Sequence, residues 1–276
     1  MMLREFAKRA AGNAAVAFNS MLGERQSEPM GILAYHRVVP LLPSLPEPSH
    51  NVPPERLYRQ LADLQGMGWQ FVSLSQVLEG WEQGGELPRR AIIVTFDDVF
   101  ESVYVHAWPI LKELGIPATL FLSTAYLDST KPFPFDRWGV SHFDKAPPES
   151  YRPIRIEQVR AMLTSGLVEV GAHTHTHRDF RHQPNEFARD LHTCVYRLKE
   201  KFGVDRAMFA YPFGRIDHGT AGGSLETAAR RLGVRCALTT TPQPVHRQID
   251  PFRWGRINVY RWDTARTIRA KLSGWY

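Results

Sequence analysis

The feature that most constrains the fold is an alternation. After residue 30, short apolar runs take turns with longer amphipathic stretches. GILAYHRVV (31–39), FVSLS (71–75), AIIVTFDD (91–98), ATLFLS (118–123), LVEVGAHT (167–174), AMFAYPFG (207–214) and CALTT (236–240) read as strands. Between them PPERLYRQLADLQGMG (53–68), VYVHAWPILKELG (103–115), EFARDLHTCVYRLKEKFG (186–203) and LETAARRLG (225–233) read as helices, the last three ending at glycine. Leu57, Leu61 and Leu64 share one face of the first, and Pro109 predicts a late start or a kink in the second. Strands that alternate with helices pair in parallel, so the chain is expected to be α/β, with a parallel sheet or barrel.

With 276 residues the chain has room for one large domain or two small ones. Two proline-rich stretches, 40–54 and 128–150, are irregular, but neither is composed like a flexible linker. A single domain over 30–276 is therefore expected, behind an extension over 1–29. In that extension Leu3, Phe6, Ala10, Ala14, Ala17, Phe18 and Met21 recur at helical spacing. It is too short and polar to span a bilayer, and Asn13 makes it a poor secretory signal. An amphipathic helix fits better, docked on the protein or resting on a membrane surface. A cytoplasmic or membrane-peripheral placement follows rather than secretion. Oligomeric state is not legible.

In parallel α/β folds, chemistry gathers at the carboxyl ends of strands. Four clusters fall there: His36 in LAYHRV, Asp97-Asp98 in VTFDD, the histidines of GAHTHTH, and the turn YPFG. Adjacent carboxylates behind an apolar strand need a positive partner, and a divalent metal would serve. The competing reading makes the pair the cap and first acid of a helix. Neighbours at a strand end point apart, so one acid can ligate while the other acts as a base. Two imidazoles and a carboxylate suit a catalytic metal that keeps a position for water. HTHTH lacks the glutamate of the HExxH helix, so a different arrangement is implied. The charge balance, 34 Lys+Arg against 28 Asp+Glu, would admit an anionic partner. No basic run with interleaved aromatics accompanies it, so nucleic acid is not expected as one. Cys194 and Cys236 read as buried thiols rather than a disulfide framework.

TFDD at 95–98 together with HTHTH at 173–177, an H-[ST]-x-x-H pattern, resembles the polysaccharide deacetylases of the NodB-homology type, carbohydrate esterase family four. The resemblance covers most of the chain from about residue 30. It implies a distorted (β/α) barrel with fewer than eight regular units. It also implies a divalent-metal hydrolase that removes N- or O-acyl groups from sugars, with zinc first and cobalt, nickel or iron as alternatives. Position by position, Asp97 matches the general base, and Asp98, His173 and His177 match the ligands. Thr174 matches the hydroxyl that braces the loop, and His175 falls at a free position. In FAYPFG (209–214) the Phe213 N–H would be the oxyanion donor, and Ala210 stands where the family has an arginine. Arg256, in DPFRWGRINV, is the candidate replacement that orients Asp97. The C-terminal Leu-x-His motif is absent, so His36 is expected as the acid, as in the exopolysaccharide branch with an N-terminal histidine. Trp138, Phe135 and Tyr211 are candidate sugar-stacking walls. The expected substrate is an N-acylated amino-sugar polymer or its lipid-linked precursor. An inactive glycan-binding relative and an O-acetyl esterase are the alternatives.

Overall fold

The computed structural model describes residues 29–274. The N-terminal amphipathic helix expected over 1–29 lies outside the described residues. Strand β1 (Gly31–Tyr35) is followed by α1 (Pro54–Gly66), β2 (Gln70–Phe71), α2 (Leu74–Glu82) and β3 (Ala91–Asp98). A π-helical turn at Val103–Ala107 leads into α3 (Trp108–Leu114), then come β4 (Ala118–Leu122), α4 (Arg137–His142), α5 (Ile156–Leu163) and β5 (Val168–Ala172). The chain closes with α6 (Pro184–Phe202), β6 (Phe209–Ala210), α7 (Gly223–Arg231), β7 (Ala237–Leu238), β8 (Ile257–Asn258) and α8 (Ala265–Leu272).

All the named strands pair in parallel, in the order β7-β6-β5-β4-β3-β1-β8, with β2 beside the start of β3. The path curls into an incomplete barrel. Between its outer strands, the Thr239 N–H just after β7 donates to the Trp254 carbonyl ahead of β8 at 2.8 Å. The expected distorted (β/α) barrel is observed, and four of its strands are only two residues long.

Strand β3 is buried along both faces, as its unbroken apolar run requires. Its alternation divides the core. Ile92, Val94 and Phe96 pack outward with Leu57, Leu61 and Leu64 of α1, whereas Ala91 and Ile93 face an inner cluster with Phe121, Leu238 and Trp254. Leu74, Val77 and Leu78 of α2 plug that inner cluster. The N-terminus of α2 is fixed by Glu169 of β5, whose carboxylate accepts from the N–H groups of Leu74 and Ser75 and from the Thr119 hydroxyl.

Several elements differ from expectation. FVSLS contributes only Phe71 to a strand, because the Ser73 hydroxyl accepts from the Gln76 N–H and starts α2 instead. Helices α4, α5 and α8 were not anticipated. Pro109, which lacks an N–H, marks the change from π turn to α3. Gly115 and Gly203 end α3 and α6 in the left-handed conformation, as read from the sequence. Cys194 and Cys236 are free and buried, and burial pushes both thiols up to about 12. Among the described residues no helix is long and apolar enough to cross a membrane.

Candidate active site

The period of β3 assigns its two acids to different surroundings. Asp97 continues the inward series of Ala91 and Ile93, and there it meets Arg256. The guanidinium donates to both carboxylate oxygens, Nη1 to Oδ1 at 2.6 Å and Nη2 to Oδ2 at 2.7 Å. Arg256 also donates from Nε to the Thr239 carbonyl and from Nη1 to the Thr95 hydroxyl, and its side chain is wholly buried. Burial raises the Asp97 carboxyl, but the Arg256 charge and hydrogen bonds outweigh it and hold the carboxyl below its usual range.

Beyond Asp97 the backbone turns sharply. Asp98 and Val99 have φ of 61° and 60°, and the Val99 N–H donates to the Asp97 carbonyl at 2.6 Å. Thr174, His177 and Phe213 are also left-handed, at 62°, 53° and 62°. Such values in residues with a Cβ store strain, which concentrates here around one point.

That point is the Asp98–His173–His177 group, one donor atom from each lying within 4.8 Å of the others. The Asp98 Oδ1 lies 3.2 Å from His177 Nε2 and 3.7 Å from His173 Nε2, yet it is buried with no aligned hydrogen bond. His173 Nδ1 sits 2.8 Å from the Ala210 carbonyl; donating its proton there leaves the Nε2 lone pair turned to the carboxylates. Burial lowers the His173 pKa, which keeps the ring neutral and able to ligate. A bare buried carboxylate oxygen beside two imidazoles is a donor set that fits a divalent cation.

The HTHTH loop is braced internally. The Thr174 hydroxyl accepts from the His177 N–H at 3.1 Å. Asp190, on α6, accepts from the N–H groups of His175 and Thr176 and from the Thr176 hydroxyl. His175 turns away, its Nδ1 bonded to the Thr124 hydroxyl at 2.9 Å. Gly171, just ahead of the loop, leaves room for the Phe121 ring, since a Cβ there would stand 2.6 Å from it.

These groups open on a cavity of about 430 Å³ that His36, Arg37, His50, Phe135, Asp136 and Phe213 also line. His36 follows β1, and burial, with His50 next, lowers its pKa to about 4. The Phe135 ring stacks on His177 at 3.9 Å, and Phe213 meets His177 edge-on at 5.2 Å. Among the described residues the Phe213 N–H donates to no protein acceptor, while its carbonyl accepts from the Thr240 hydroxyl. A larger cavity of about 870 Å³ near Arg230 and Arg253 has its carboxylates paired with arginines, as Glu226 is with both, and holds no histidine.

Two expected sugar walls are corrected. Tyr211 is 1% exposed, packed among Phe187 and Phe209, because its place in the β6 turn directs it into the outer core. Trp138 is 8% exposed and donates its indole N–H to the Pro46 carbonyl, behind Arg37 rather than on the cavity wall. Sequence reasoning missed Arg37 and Asp136, a buried ion pair, and His50 and Asp190. Arg37 adjoins His36, and His50 lies in the proline-rich 40–54 stretch; those positions were the available signals.

Comparison with known proteins adds to this geometry. A family model described as polysaccharide deacetylase matches residues 84–237. The poly-beta-1,6-N-acetyl-D-glucosamine N-deacetylase of Staphylococcus epidermidis is 24% identical over 220 residues, which cover 76% of this chain and 68% of that protein. The protein of the same name from Staphylococcus aureus is 25% identical over 178 residues, 61% of this chain and 56% of its own length. The structure of IcaB from Ammonifex degensii aligns with a TM-score of 0.70 at 25% identity, covering 88% of this chain and 97% of that one.

Proposed function

The chain belongs to the polysaccharide deacetylase family, and on that premise we propose that it is a metal-dependent hydrolase of N-acetyl groups on a poly-N-acetylglucosamine exopolysaccharide or its lipid-linked precursor. One observation carries the reading: the Asp98–His173–His177 donors and Asp97, which Arg256 holds from behind, line a single cavity. The choice of substrate is supported by the staphylococcal relatives' names.

Asp98, His173 and His177 would hold the ion, with zinc the first choice and cobalt, nickel or iron compatible with the same donors. When bound, such an ion supplies Lewis-acid polarisation of a carbonyl and a water of lowered pKa. Asp97, aimed by Arg256, takes a proton as water adds to the acetyl carbonyl carbon. The Phe213 N–H donates to the oxyanion that forms. His36 then gives a proton to the departing sugar nitrogen, and acetate and a free amine result. With its pKa near 4, His36 is neutral at rest at neutral pH. The proton it delivers is therefore gained within the turnover, from the water proton that Asp97 collects. Phe135, half-buried over His177, is the cavity's remaining candidate for a sugar face.

Acetate release from N-acetylated glucosamine oligomers, measured with and without chelator and after zinc is restored, tests the proposal. No release with any divalent metal would favour a glycan-binding relative. Ester cleavage without amine formation would favour an O-acetyl esterase.

A further inference from the structure

The stretch 40–54 doubles back along the segment after β1. The Val52 N–H donates to the Arg37 carbonyl at 3.0 Å, and the Asn51 side chain pairs with both the N–H and the carbonyl of Val39 at 3.0 and 3.1 Å. Asn51 is 4% exposed, so the hairpin-like return is anchored from within. Its product is one placement. His50, with φ of 54°, lays its ring on His36 at 4.7 Å between centroids and 27° between planes. Tyr260, just beyond β8, meets His50 at 5.9 Å and is itself stacked on Trp262 at 4.6 Å. His36 is thus one end of a ring series, His36–His50–Tyr260–Trp262, in which His50 is exposed and the other three are half-buried.

We infer that His50 is a positioning residue: it fixes the plane of the His36 ring over the cavity and covers one face of that ring. The inference rests on the proposed role of His36 in deacetylation. An imidazole at a strand end is otherwise free to turn about its side-chain bonds, and a proton donor off its line loses rate steeply. Two imidazoles in face contact also resist carrying charge together, so His50 discourages a second proton while His36 holds one. The pair faces Asp97 and Asp98 of β3, Arg37 after β1 and Arg256 before β8, and these charges set its background.

His50→Ala and His50→Phe separate the possibilities. In the alanine variant kcat for acetate release is expected to fall about tenfold or more with KM little changed. The His36 ring titration, followed by NMR, is expected to move upward, because His50 and burial both hold it down. The phenylalanine variant keeps the stacked face, so it is expected to retain most of kcat. Should His50→Ala fail to fold, the phenylalanine arm still decides: a tenfold loss there would overturn the inference. An unchanged kcat and His36 titration in His50→Ala would also overturn it, as would a loss confined to KM, which marks a substrate contact. The NMR readout needs no turnover, so a chain inactive on every N-acetylated polymer would defeat the functional reading separately.

Discussion

Arg256 and Asp97 stand 159 residues apart and meet in two parallel hydrogen bonds of 2.6 and 2.7 Å. Arg256 reaches that carboxylate from just ahead of β8, at the opposite side of the strand order from β6, where Ala210 stands. Lysine at 256 would keep the charge but could not span both oxygens. Arg256→Lys is expected to lower kcat about 10- to 100-fold while bound zinc, measured by elemental analysis, stays at the parent level. Arg256→Met would strand a buried carboxylate, and a loss of about 3–5 kcal/mol in urea unfolding is expected.

Different fates are expected for Asp97 and for the ligand histidines. After loading with zinc, Asp97→Asn should retain the ion and lose nearly all turnover. His177→Ala should lose zinc, with chelator-free samples carrying well under one equivalent. Equal zinc content in the two variants would contradict the division of roles.

Stability should depend on pH through His36. Its pKa is about 4 in the folded chain against an ordinary 6.5, so between those values the unfolded chain binds more protons. Stability therefore rises with pH across that window and is lost as pH falls through it. His36→Gln is expected to flatten the curve there, as measured by denaturant unfolding at a series of pH values. Asp97 acts in a lower window: held below its ordinary range, it contributes stability above that range and loses it as pH falls through the folded value.

Among the residues that brace the HTHTH loop, the largest effect is expected at Asp190 of α6. Three donors from His175 and Thr176 end on its carboxylate. Asp190→Ala should weaken zinc binding about 10- to 100-fold, as removal of an orienting partner does. His175→Ala loses only the bond to Thr124 and should change zinc affinity less than about threefold, by competition titration with a chromophoric chelator. Equal effects would mean that the loop is not held through α6.

What could be read beforehand follows physical lines. β3 was legible because a strand buried on both faces is an unbroken apolar run, and its TFDD end stood out as charge where charge is costly. HTHTH was legible as a donor pattern. Tyr211 was misread because aromatic type says nothing about which way a two-residue strand delivers its side chain. α2 was missed because Ser73, within an apparent strand, turned out to be a helix cap. His50 and Asp190 were illegible for another reason: each matters through a distant partner, and no local spacing encodes a contact across a fold.

The seam between β7 and β8 carries a consequence for how such a chain can drift. Arg256 reaches across that seam to the Thr239 carbonyl while holding Asp97, so one side chain serves both the mechanism and the cohesion of the sheet. A descendant that abandoned catalysis would have no further use for the metal ligands. It could not discard Arg256 alone, since the orphaned acid would be left in the inner core. The two residues form a single unit of inheritance, to be kept together or exchanged together for an apolar pair.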